Sequence, residues 1–321
     1  MFENKTFSFC GHFKIFSIIS IVLVIVGLVA LILTPFGIYL FNFDIDFVGG
    51  TTMQFELYQE VTRDVINDVE DIFEEVTGES ASSITKAGDD GTQVSIKCAE
   101  LDSETRDAVF EAVKEAYDLP EDDSPISSDY VSASVGSDMR ASAVKASVLA
   151  VILILIYITF RFELRSGLAA VIALVHDLLV MLSVYVIFQI PFNMNFIAAA
   201  LTILGYSINA TIVLFDRIRE NNKVDLRENF ANVVDKSIWQ TMSRSINTTI
   251  TTLLPILLLL ILGVSSIRNF ALPLVVGILS GFYSSVCLSG PIWNKLRFVS
   301  FRKTPKSDAK KSDSKKAKAK A

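Results

Sequence analysis

The sequence has few of the residues from which metal centres, disulfide frameworks and nucleophilic active sites are built. Its 321 residues include three cysteines and two histidines. The cysteines, Cys10, Cys98 and Cys287, lie far apart in the chain, and no two of them are expected to form an intramolecular disulfide. Two histidines and three scattered cysteines do not make a zinc site or a Ser-His-Asp arrangement. We therefore expect no metal, no cofactor and no enzymatic activity.

Long uncharged stretches are the main positive feature of the chain, of which 51% is hydrophobic. A transmembrane helix needs about 20 consecutive apolar residues, and six segments meet that requirement. The first is too long for the apolar part of a signal peptide, and no small-residue cleavage site precedes Pro35. The six predicted spans are Phe13–Thr34, Ala141–Phe160, Gly167–Gln189, Asn195–Phe215, Ser245–Ser266 and Asn269–Asn294.

Charge is divided unevenly between the segments. Residues 38–139 contain 25 acidic and five basic residues, whereas the rest of the chain contains 24 basic and 10 acidic ones. Because positively charged loops tend to stay in the cytoplasm, we predict a multi-pass protein of the plasma membrane with both termini cytoplasmic and residues 38–139 outside. On this topology Cys98 is expected to react with a thiol reagent applied from outside.

The acidic segment has the pattern of a small α+β domain. Period-two alternation predicts its strands, and apolar residues at helical spacing predict its helices. The order β-α-β-β-α-β is that of the ferredoxin-like fold. Ser103 is the expected N-cap of the second helix. The predicted elements are strands at Thr51–Tyr58, Ser82–Ala87, Thr92–Cys98 and Tyr130–Val135, with helices at 62–77 and 103–117.

The remaining boundaries follow from these elements. Apolar residues at helical spacing from Leu226 to Ile238 predict an amphipathic helix near 222–240 that lies along the inner membrane surface, with Trp239 at the interface. The Lys-rich tail is either a solubilising end or a contact for anionic lipid or the ribosome. The predicted parts are a cytoplasmic N-terminus (1–12), the first span (13–37), the external domain (38–139), five further spans (140–294) and the tail (295–321).

The fourth span runs without a break from apolar into charged residues. From Gly205 to Asn221 it reads Gly-Tyr-Ser-Ile-Asn-Ala-Thr-Ile-Val-Leu-Phe-Asp-Arg-Ile-Arg-Glu-Asn. An amide at membrane depth needs a hydrogen-bonding partner. We therefore expect Asn209 to face other helices rather than lipid.

This motif resembles the fourth-helix motif of the SecF family of bacterial protein-export subunits, which reads roughly Gly-Tyr-Ser-x-Asn-Asp-Thr-x-Val-x-x-Asp-Arg-Ile-Arg-Glu-Asn. One departure is that Ala210 stands where the family pattern has Asp. Residues 42–51 are similar to a second family pattern, Asn-Phe-Gly-Ile-Asp-Phe-x-Gly-Gly-Thr, with Asp44 in place of the first Gly. The resemblance extends to the third and fifth spans, as described below.

The second of these motifs contains two adjacent glycines near its end. Gly49 and Gly50 permit a positive φ and a close approach of backbones. With Asp46 they predict a rigid turn between the first span and the first strand, although a functional loop is the alternative. No Lys-Ser or Lys-Thr pair follows them, so the stretch is not a P-loop and nucleotide binding is not expected.

An acidic group is also placed deep in the third span. Asp177 follows His176 about ten residues into the span, roughly 15 Å from its start and close to the bilayer centre. A carboxylate there must be neutral, paired or in contact with water. The two residues match the His-Asp pair of the family's third helix. We favour a proton relay for Asp177 over a polar clamp between helices, and both roles remain open for His176.

Arg244 lies near the inner end of the fifth span. With the serine and threonines after it, Arg244 resembles the family's fifth-helix motif, in which the arginine faces the fourth-helix Asp. Here the facing positions are Asn209 and Ala210, and an amide cannot carry a proton. The hydroxyls on this face are expected to bond back to helix carbonyls. Proton coupling would then depend on Asp177 or on a carboxylate of a partner chain.

The resemblance covers nearly the whole chain and implies a SecF-like subunit, one six-helix half of the resistance–nodulation–division fold, with SecD as the other half. It implies contact with the SecYEG channel, the translocating polypeptide and membrane lipids, but not with nucleic acid. It also implies use of the proton-motive force after the ATP-driven step of SecA. Two alternatives are a small-molecule exporter of the same superfamily, expected to have twelve helices and two external domains, and a proton-independent scaffold, which Ala210 favours.

Overall fold

The structure is a computed structural model that describes residues 7–36, 38, 40–88, 90–161, 163–224, 227–263 and 265–297. Most of the predicted tail, 298–321, lies outside these residues. A bundle of long helices carries one small sheet, which is inserted after the first helix. In chain order the elements are α1 (Phe13–Leu33), α2 (Ile45–Val48), β1 (Gly50–Glu56), α3 (Arg63–Thr77), β2 (Ser83–Ala87), β3 (Gln93–Cys98), α4 (Ser103–Ala116), β4 (Ser127–Val131), α5 (Ala133–Arg161), α6 (Leu164–Phe188), α7 (Met194–Val224), α8 (Phe230–Leu262), α9 (Ser265–Tyr283), a π-helical turn (Ser284–Ser289) and α10 (Gly290–Arg297).

Six helical spans among the described residues are long and apolar enough to cross a membrane. Five of them are the single helices α1, α5, α6, α7 and α8. The sixth, Ile267–Arg297, combines most of α9 with the π-helical turn and α10. At about 1.5 Å per residue, even the 21 residues of α1 cover a hydrocarbon core of about 30 Å. The six predicted spans are confirmed, and the chain is a multi-pass membrane protein.

The inserted sheet has the strand order β2-β3-β1-β4, and all neighbouring strands are antiparallel. Helices α3 and α4 share one apolar core with the strands, so both lie on the same face of the sheet. Phe55 of β1, Phe73 of α3 and Val109 of α4 are almost fully buried in that core. This is the ferredoxin-like arrangement, as the order of predicted elements indicated.

A fourth strand is present as predicted, but its predicted bounds were wrong. A strand was predicted at Tyr130–Val135, but β4 ends at Val131 and α5 begins at Ala133, before the predicted domain boundary at residue 139. The backbone N–H of Val135 donates to Ser132 Oγ at 3.3 Å, which satisfies a donor of the first helical turn. Three of the five residues after Tyr130 in the predicted strand are serine or alanine, and these residues favour a strand less than β-branched residues do.

Helix α4 begins with a cap that lies one residue before the predicted one. The N-cap is Asp102 rather than Ser103, and its Oδ1 accepts a hydrogen bond of 2.8 Å from the backbone N–H of Thr105. This hydrogen bond lowers the pKa of the Asp102 carboxyl below its ordinary value, and nearby Arg106 lowers it further. The charge also lies at the positive end of the helix dipole.

Cys98 belongs to the interior of the sheet domain. Its side chain is 5% exposed and packs in the same core as the strands and helices. Burial raises the pKa of its thiol to about 11, with a contribution from Glu79. Little thiolate therefore forms at neutral pH, and the expectation that Cys98 reacts with an external thiol reagent was wrong.

The amphipathic surface helix predicted near 222–240 is not a separate element among the described residues. Residues 230–240 form the first turns of α8, which continues into the fifth span. No glycine or proline occurs between residues 230 and 254 to end the helix. Val233, Val234 and Ile238 are buried between helices of the bundle rather than turned toward a membrane surface. Leu226 lies outside the described residues.

The segment before α1 covers this end of α8. Ser8 Oγ and the Cys10 backbone N–H donate to the Asp235 carboxylate at 2.5 and 2.9 Å. The indole N–H of Trp239 donates to the Phe7 carbonyl oxygen at 3.1 Å. Burial and the neighbouring Asp235 carboxylate raise the pKa of the Cys10 thiol. The N-terminal segment is thus attached to α8 before the chain enters its first span.

Helix α1 packs closely against α6, because its only interior glycine faces a serine there. The Gly27 backbone N–H donates to Ser183 Oγ at 2.8 Å. A Cβ at Gly27 would lie 2.6 Å from the Leu179 carbonyl oxygen, which is closer than real Cβ contacts. Close contact through small residues is usual between membrane helices, and here it fixes α1 on the helix that carries Asp177.

Candidate functional site

Asp177 is enclosed by hydroxyl groups at the centre of the bundle. Its side chain is 0% exposed. Ser207 Oγ and Ser284 Oγ donate to Asp177 Oδ2 at 2.6 and 2.8 Å, and Ser280 Oγ donates to Oδ1 at 2.8 Å. The three serines come from α7, α9 and the π-helical turn, so one carboxylate of α6 connects α7 and both parts of the sixth span. We call Asp177 and these three serines the carboxylate cage.

The sequence around the serines accounts for the cage. Ser280 and Ser284 are four residues apart, so in a helix they lie on one face. The π-helical turn begins at Ser284, and such turns shift the register of the residues that follow. Gly281 lets α9 approach α7, because a Cβ there would lie 3.1 Å from Ser207 Cβ. Small residues therefore bring the hydroxyls within reach of Asp177.

His176 lies beside the cage. Its Nδ1 is 3.1 Å from Asp177 Oδ1, and its ring centroid is 5.8 Å from that of Tyr283. Its Nε2 is buried and has no hydrogen-bond partner among the described residues. The hydroxyl of Tyr283 donates to the Phe16 carbonyl oxygen at 2.8 Å, so this ring connects the sixth span to α1.

Asn209, Ala210 and Arg244 lie together at a different place, as predicted. They line a cavity of about 180 Å³ between α7 and α8, which we call the arginine cavity. The Tyr206 hydroxyl donates to Thr249 Oγ1 at 3.0 Å across the same helix pair. The other lining residues are Val213, Ser245, Thr248 and Phe282.

The threonine hydroxyls of α8 behave largely as expected. Thr248, Thr251 and Thr252 each donate to the carbonyl oxygen one turn earlier, at about 2.9 Å. These hydroxyls are engaged within the helix. Arg244 differs, because its guanidinium makes no ion pair with the carboxylates that the structure describes.

The turn after α1 joins the sheet domain to the bundle. Asp46 Oδ2 accepts a hydrogen bond of 3.0 Å from the backbone N–H of Met194, the first residue of α7. Gly49 has φ +83° and Gly50 φ +125°. A Cβ at Gly49 would lie 2.8 Å from Ala133 Cα, so the turn also contacts the start of α5.

Asp44, where the family pattern has Gly, adds contacts to this turn. Its Oδ1 is 2.9 Å from Lys97 Nζ of β3, and both side chains are about four-fifths buried. Its Oδ2 accepts from Asn193 Nδ2 at 3.3 Å in the α6–α7 loop. Sequence reasoning did not identify Lys97, Asn193 or the three serines of the cage, because a lysine in a strand, an asparagine in a loop and serines in an apolar helix are all common without a special role.

The charged end of the fourth-span motif forms pairs between helices. Arg161 of α5 and Asp216 of α7 lie 2.5 Å apart. Arg217 Nε donates to Gln240 Oε1 of α8 at 2.7 Å. Asn221 Nδ2 donates to Ser237 Oγ at 2.8 Å. These contacts hold α5, α7 and α8 together at the end of the motif.

The chain is similar to known proteins over most of its length. A family model described as "Protein export membrane protein SecD/SecF, C-terminal" matches residues 111–299. The protein translocase subunit SecF of Sebaldella termitidis is 39% identical over 274 residues, covering 84% of this chain and 85% of that protein. The protein translocase subunit SecF of Acidaminococcus fermentans is 38% identical over 297 residues, covering 90% and 97%.

A solved structure shares the fold. The crystal structure of SecDF, described as a translocon-associated membrane protein, from Thermus thermophilus matches with a TM-score of 0.79 at 33% sequence identity. The match covers 91% of this chain and 39% of that one. The residues matched by the family model include both the carboxylate cage and the arginine cavity. The chain belongs to the SecF family of protein translocase subunits.

Proposed function

We propose that this subunit of the Sec translocase pairs with SecD in the membrane and assists the SecYEG channel after the ATP-driven step of SecA. The solved relative supports the pairing, because its name, SecDF, joins both subunits and this chain covers 39% of it. In the most apolar 18 residues of α1, α5 and α8, only 17%, 11% and 6% are buried within the chain. Such faces suit lipid or a second membrane subunit.

The proposal includes an orientation. The sheet domain lies outside the plasma membrane and both termini lie in the cytoplasm, because basic residues are concentrated in the opposite segments. The domain is then positioned to contact polypeptide that emerges from the channel. Its attachment through Asp46 to the start of α7 links it directly to a membrane helix.

The carboxylate cage is the observation that supports the proton-motive force as the energy source. An ionised carboxylate only accepts hydrogen bonds, and Asp177 accepts from three hydroxyls. A protonated carboxyl has an O–H of its own, which must donate either to one of these hydroxyls or to His176 Nδ1, 3.1 Å from Oδ1. Because the serines belong to α7 and the sixth span, uptake and release of a proton at Asp177 change how these helices are held to α6. In this proposal the proton-motive force acts through that change.

Asp177→Asn tests the proposal, because an amide keeps the size and hydrogen bonding of the side chain but does not titrate. We expect the variant to assemble with SecD and to keep SecA-driven translocation, but to lose the stimulation of export by a proton gradient. Translocation of a model precursor into inverted membrane vesicles, with and without an uncoupler, measures this difference. Retained stimulation in Asp177→Asn would contradict a proton relay at Asp177.

Ser280→Ala is the matched control. It removes one of the three donors to Asp177 and keeps the carboxylate, so gradient-dependent stimulation should persist. If Ser280→Ala lost stimulation as fully as Asp177→Asn, the packing of the cage rather than titration would be responsible. His176→Gln, assayed in the same vesicles, determines whether the neighbouring ring takes part.

A proton-independent scaffold is the second candidate function, and Ala210 favours it. Arg244 has no carboxylate beside it among the described residues that line the arginine cavity, so these residues alone do not provide a proton site. On this reading, Asp177→Asn and an uncoupler leave the contribution of the subunit unchanged, whereas its deletion lowers the amount of SecD that co-purifies with SecYEG.

A further inference from the structure

The arginine cavity has a chemistry that the proposed export function does not use. It measures about 180 Å³ and lies between α7 and α8. A water molecule occupies about 30 Å³ in the liquid, so the cavity has room for an ion together with several waters. None of the lining residues within the described ranges is acidic.

Arg244 brings a permanent positive charge to this cavity. No ion pair or hydrogen bond joins its guanidinium to the parts of the chain that the structure describes. The residues after it, Ser245–Leu262, contain no charged side chain, so Arg244 stands where the apolar run of α8 begins. A charged group at such a position is paired or faces water, and the exposed side chain of Arg244 leaves its guanidinium accessible to a solvated anion.

Two neutral donors accompany the guanidinium. The amide of Asn209 and the hydroxyl of Ser245 both line the cavity, and neither side chain is hydrogen-bonded to another described residue. Of the other lining hydroxyls, Thr248 donates to the Arg244 carbonyl oxygen and Tyr206 donates to Thr249 Oγ1. The cavity therefore presents one positive charge and at least two further donors.

We propose that the arginine cavity binds a small monovalent inorganic anion, of which chloride is the representative. One permanent charge balances one negative charge, whereas a divalent anion would leave excess charge beside an apolar run. Arg244, Asn209 and Ser245 donate to the anion, and the volume of about 180 Å³ accommodates the ion even beside a larger side chain at position 210. Asp216 lies six residues beyond Ala210 along α7, about 9 Å away, so the path to the charged end of the helix is short. The proposal does not depend on the export function.

Equilibrium binding of radiolabelled chloride to the purified full-length chain in detergent tests the proposal. Gluconate, a bulky monoanion, keeps the ionic strength constant. We expect saturable binding of one chloride per chain. Arg244→Gln should weaken it by at least about tenfold, because a hydrogen bond to a charged group contributes roughly that much. Absence of saturable binding, or equal binding by Arg244→Gln, would overturn the proposal.

Two substitutions at Ala210 separate the effect of an added charge on chloride binding from the effect of added side-chain volume. Ala210→Asp supplies a tethered carboxylate beside the guanidinium and should abolish chloride binding, because a charge-assisted pair replaces the ion. Ala210→Asn adds the same bulk without charge and should keep the binding. Loss of binding in both variants would show that charge balance does not control the site, and this would overturn the proposal.

The same measurement on the chain co-purified with SecD identifies the acceptor in the assembled pair. Retained chloride binding supports the inorganic anion. Loss of binding on assembly would mean that a side chain of the partner occupies the cavity, and would overturn the proposal for the working complex. Export assays are not needed, so failure here is distinct from failure of the proposed function.

Discussion

Asp177 and Arg244 have opposite surroundings, although both lie in apolar helices. Asp177 is fully buried and accepts three short hydrogen bonds. Arg244 is exposed at a cavity that holds no acidic side chain. The first group is satisfied by its own chain, whereas the second is accessible to an acceptor from elsewhere. This contrast is the reason for testing Asp177 with a substitution that does not titrate and Arg244 by ion binding.

The sequence was informative about the charged residues of the site and much less so about their neighbours. Asp177 and Arg244 could be identified because a charge in an apolar helix is costly. Ser207, Ser280 and Ser284 could not, because serine in such a helix equally well bonds to its own backbone or permits close packing. Only the positions of the helices around Asp177 distinguish these uses.

Asp102 gives the sheet domain a pH dependence that can be measured on residues 49–132 expressed alone. The pKa of its carboxyl is lower in the folded domain, because the Thr105 N–H stabilises the charged form. Its contribution to stability is therefore present above the unfolded-state pKa and is lost as the pH falls through the folded-state pKa. Asp102→Asn keeps a capping side chain without a charge.

We expect the melting temperature of the wild-type domain to exceed that of Asp102→Asn at pH 7, and the difference to shrink toward pH 3. Thermal melts followed by circular dichroism at both pH values measure it. A difference that stays the same, or grows as the pH falls, would show that the charge of Asp102 does not support the cap.

Among the elements, those with a strong local pattern were predicted well. Helices α3 and α4 have amphipathic faces, and β1 and β3 alternate, so their existence and order follow from periodicity. The junction between β4 and α5 was misplaced, because a short alternation of Val, Ser and Ala does not distinguish a strand from the first turn of a helix. The π-helical turn at Ser284–Ser289 has no sequence signature of its own, since it depends on packing against α6 and α7.

The sheet domain should fold without the membrane helices, because α3, α4 and strands β1, β2 and β3 share one apolar core. Residues 49–132 should give a cooperative thermal melt. Phe73 is 1% exposed, so Phe73→Ala should cost about 3–5 kcal/mol. That is comparable to the roughly 4–12 kcal/mol expected for a domain of this size.

Ile126→Ala is the matched control for this loss of side-chain volume. Ile126 is 50% exposed, and surface substitutions usually change stability by less than about 0.5 kcal/mol. Chemical denaturation of the three proteins compares them directly. A non-cooperative transition in the wild-type fragment, or equal effects of the two substitutions, would contradict an independent core.

For the whole molecule, the proposed orientation can be tested with a membrane-impermeant maleimide on intact cells. Ser82 is exposed in the sheet domain, so Ser82→Cys should be labelled. The native Cys98 should not react until the protein is denatured, because its thiol is buried and its pKa is raised to about 11.

Ser307→Cys, in a residue outside the described ranges, should be labelled only after the cells are permeabilised. Cys10 and Cys287 are replaced by serine in all variants to remove background reaction. Labelling of Ser307→Cys in intact cells, with protection of Ser82→Cys, would invert the proposed topology.

Helix α7 is a single rigid element that is attached to its neighbours at three places along its length. Its 31 residues span about 46 Å. Its first residue is held by Asp46, its middle carries Ser207, and its far end pairs with α5 and α8 through Asp216 and Arg217. Because a helix is stiff along its axis, a displacement of Met194 by the sheet domain moves Ser207 by nearly the same distance. A displacement of less than about 1 Å is comparable to the change in donor–acceptor distance that makes or breaks the hydrogen bond from Ser207 to Asp177.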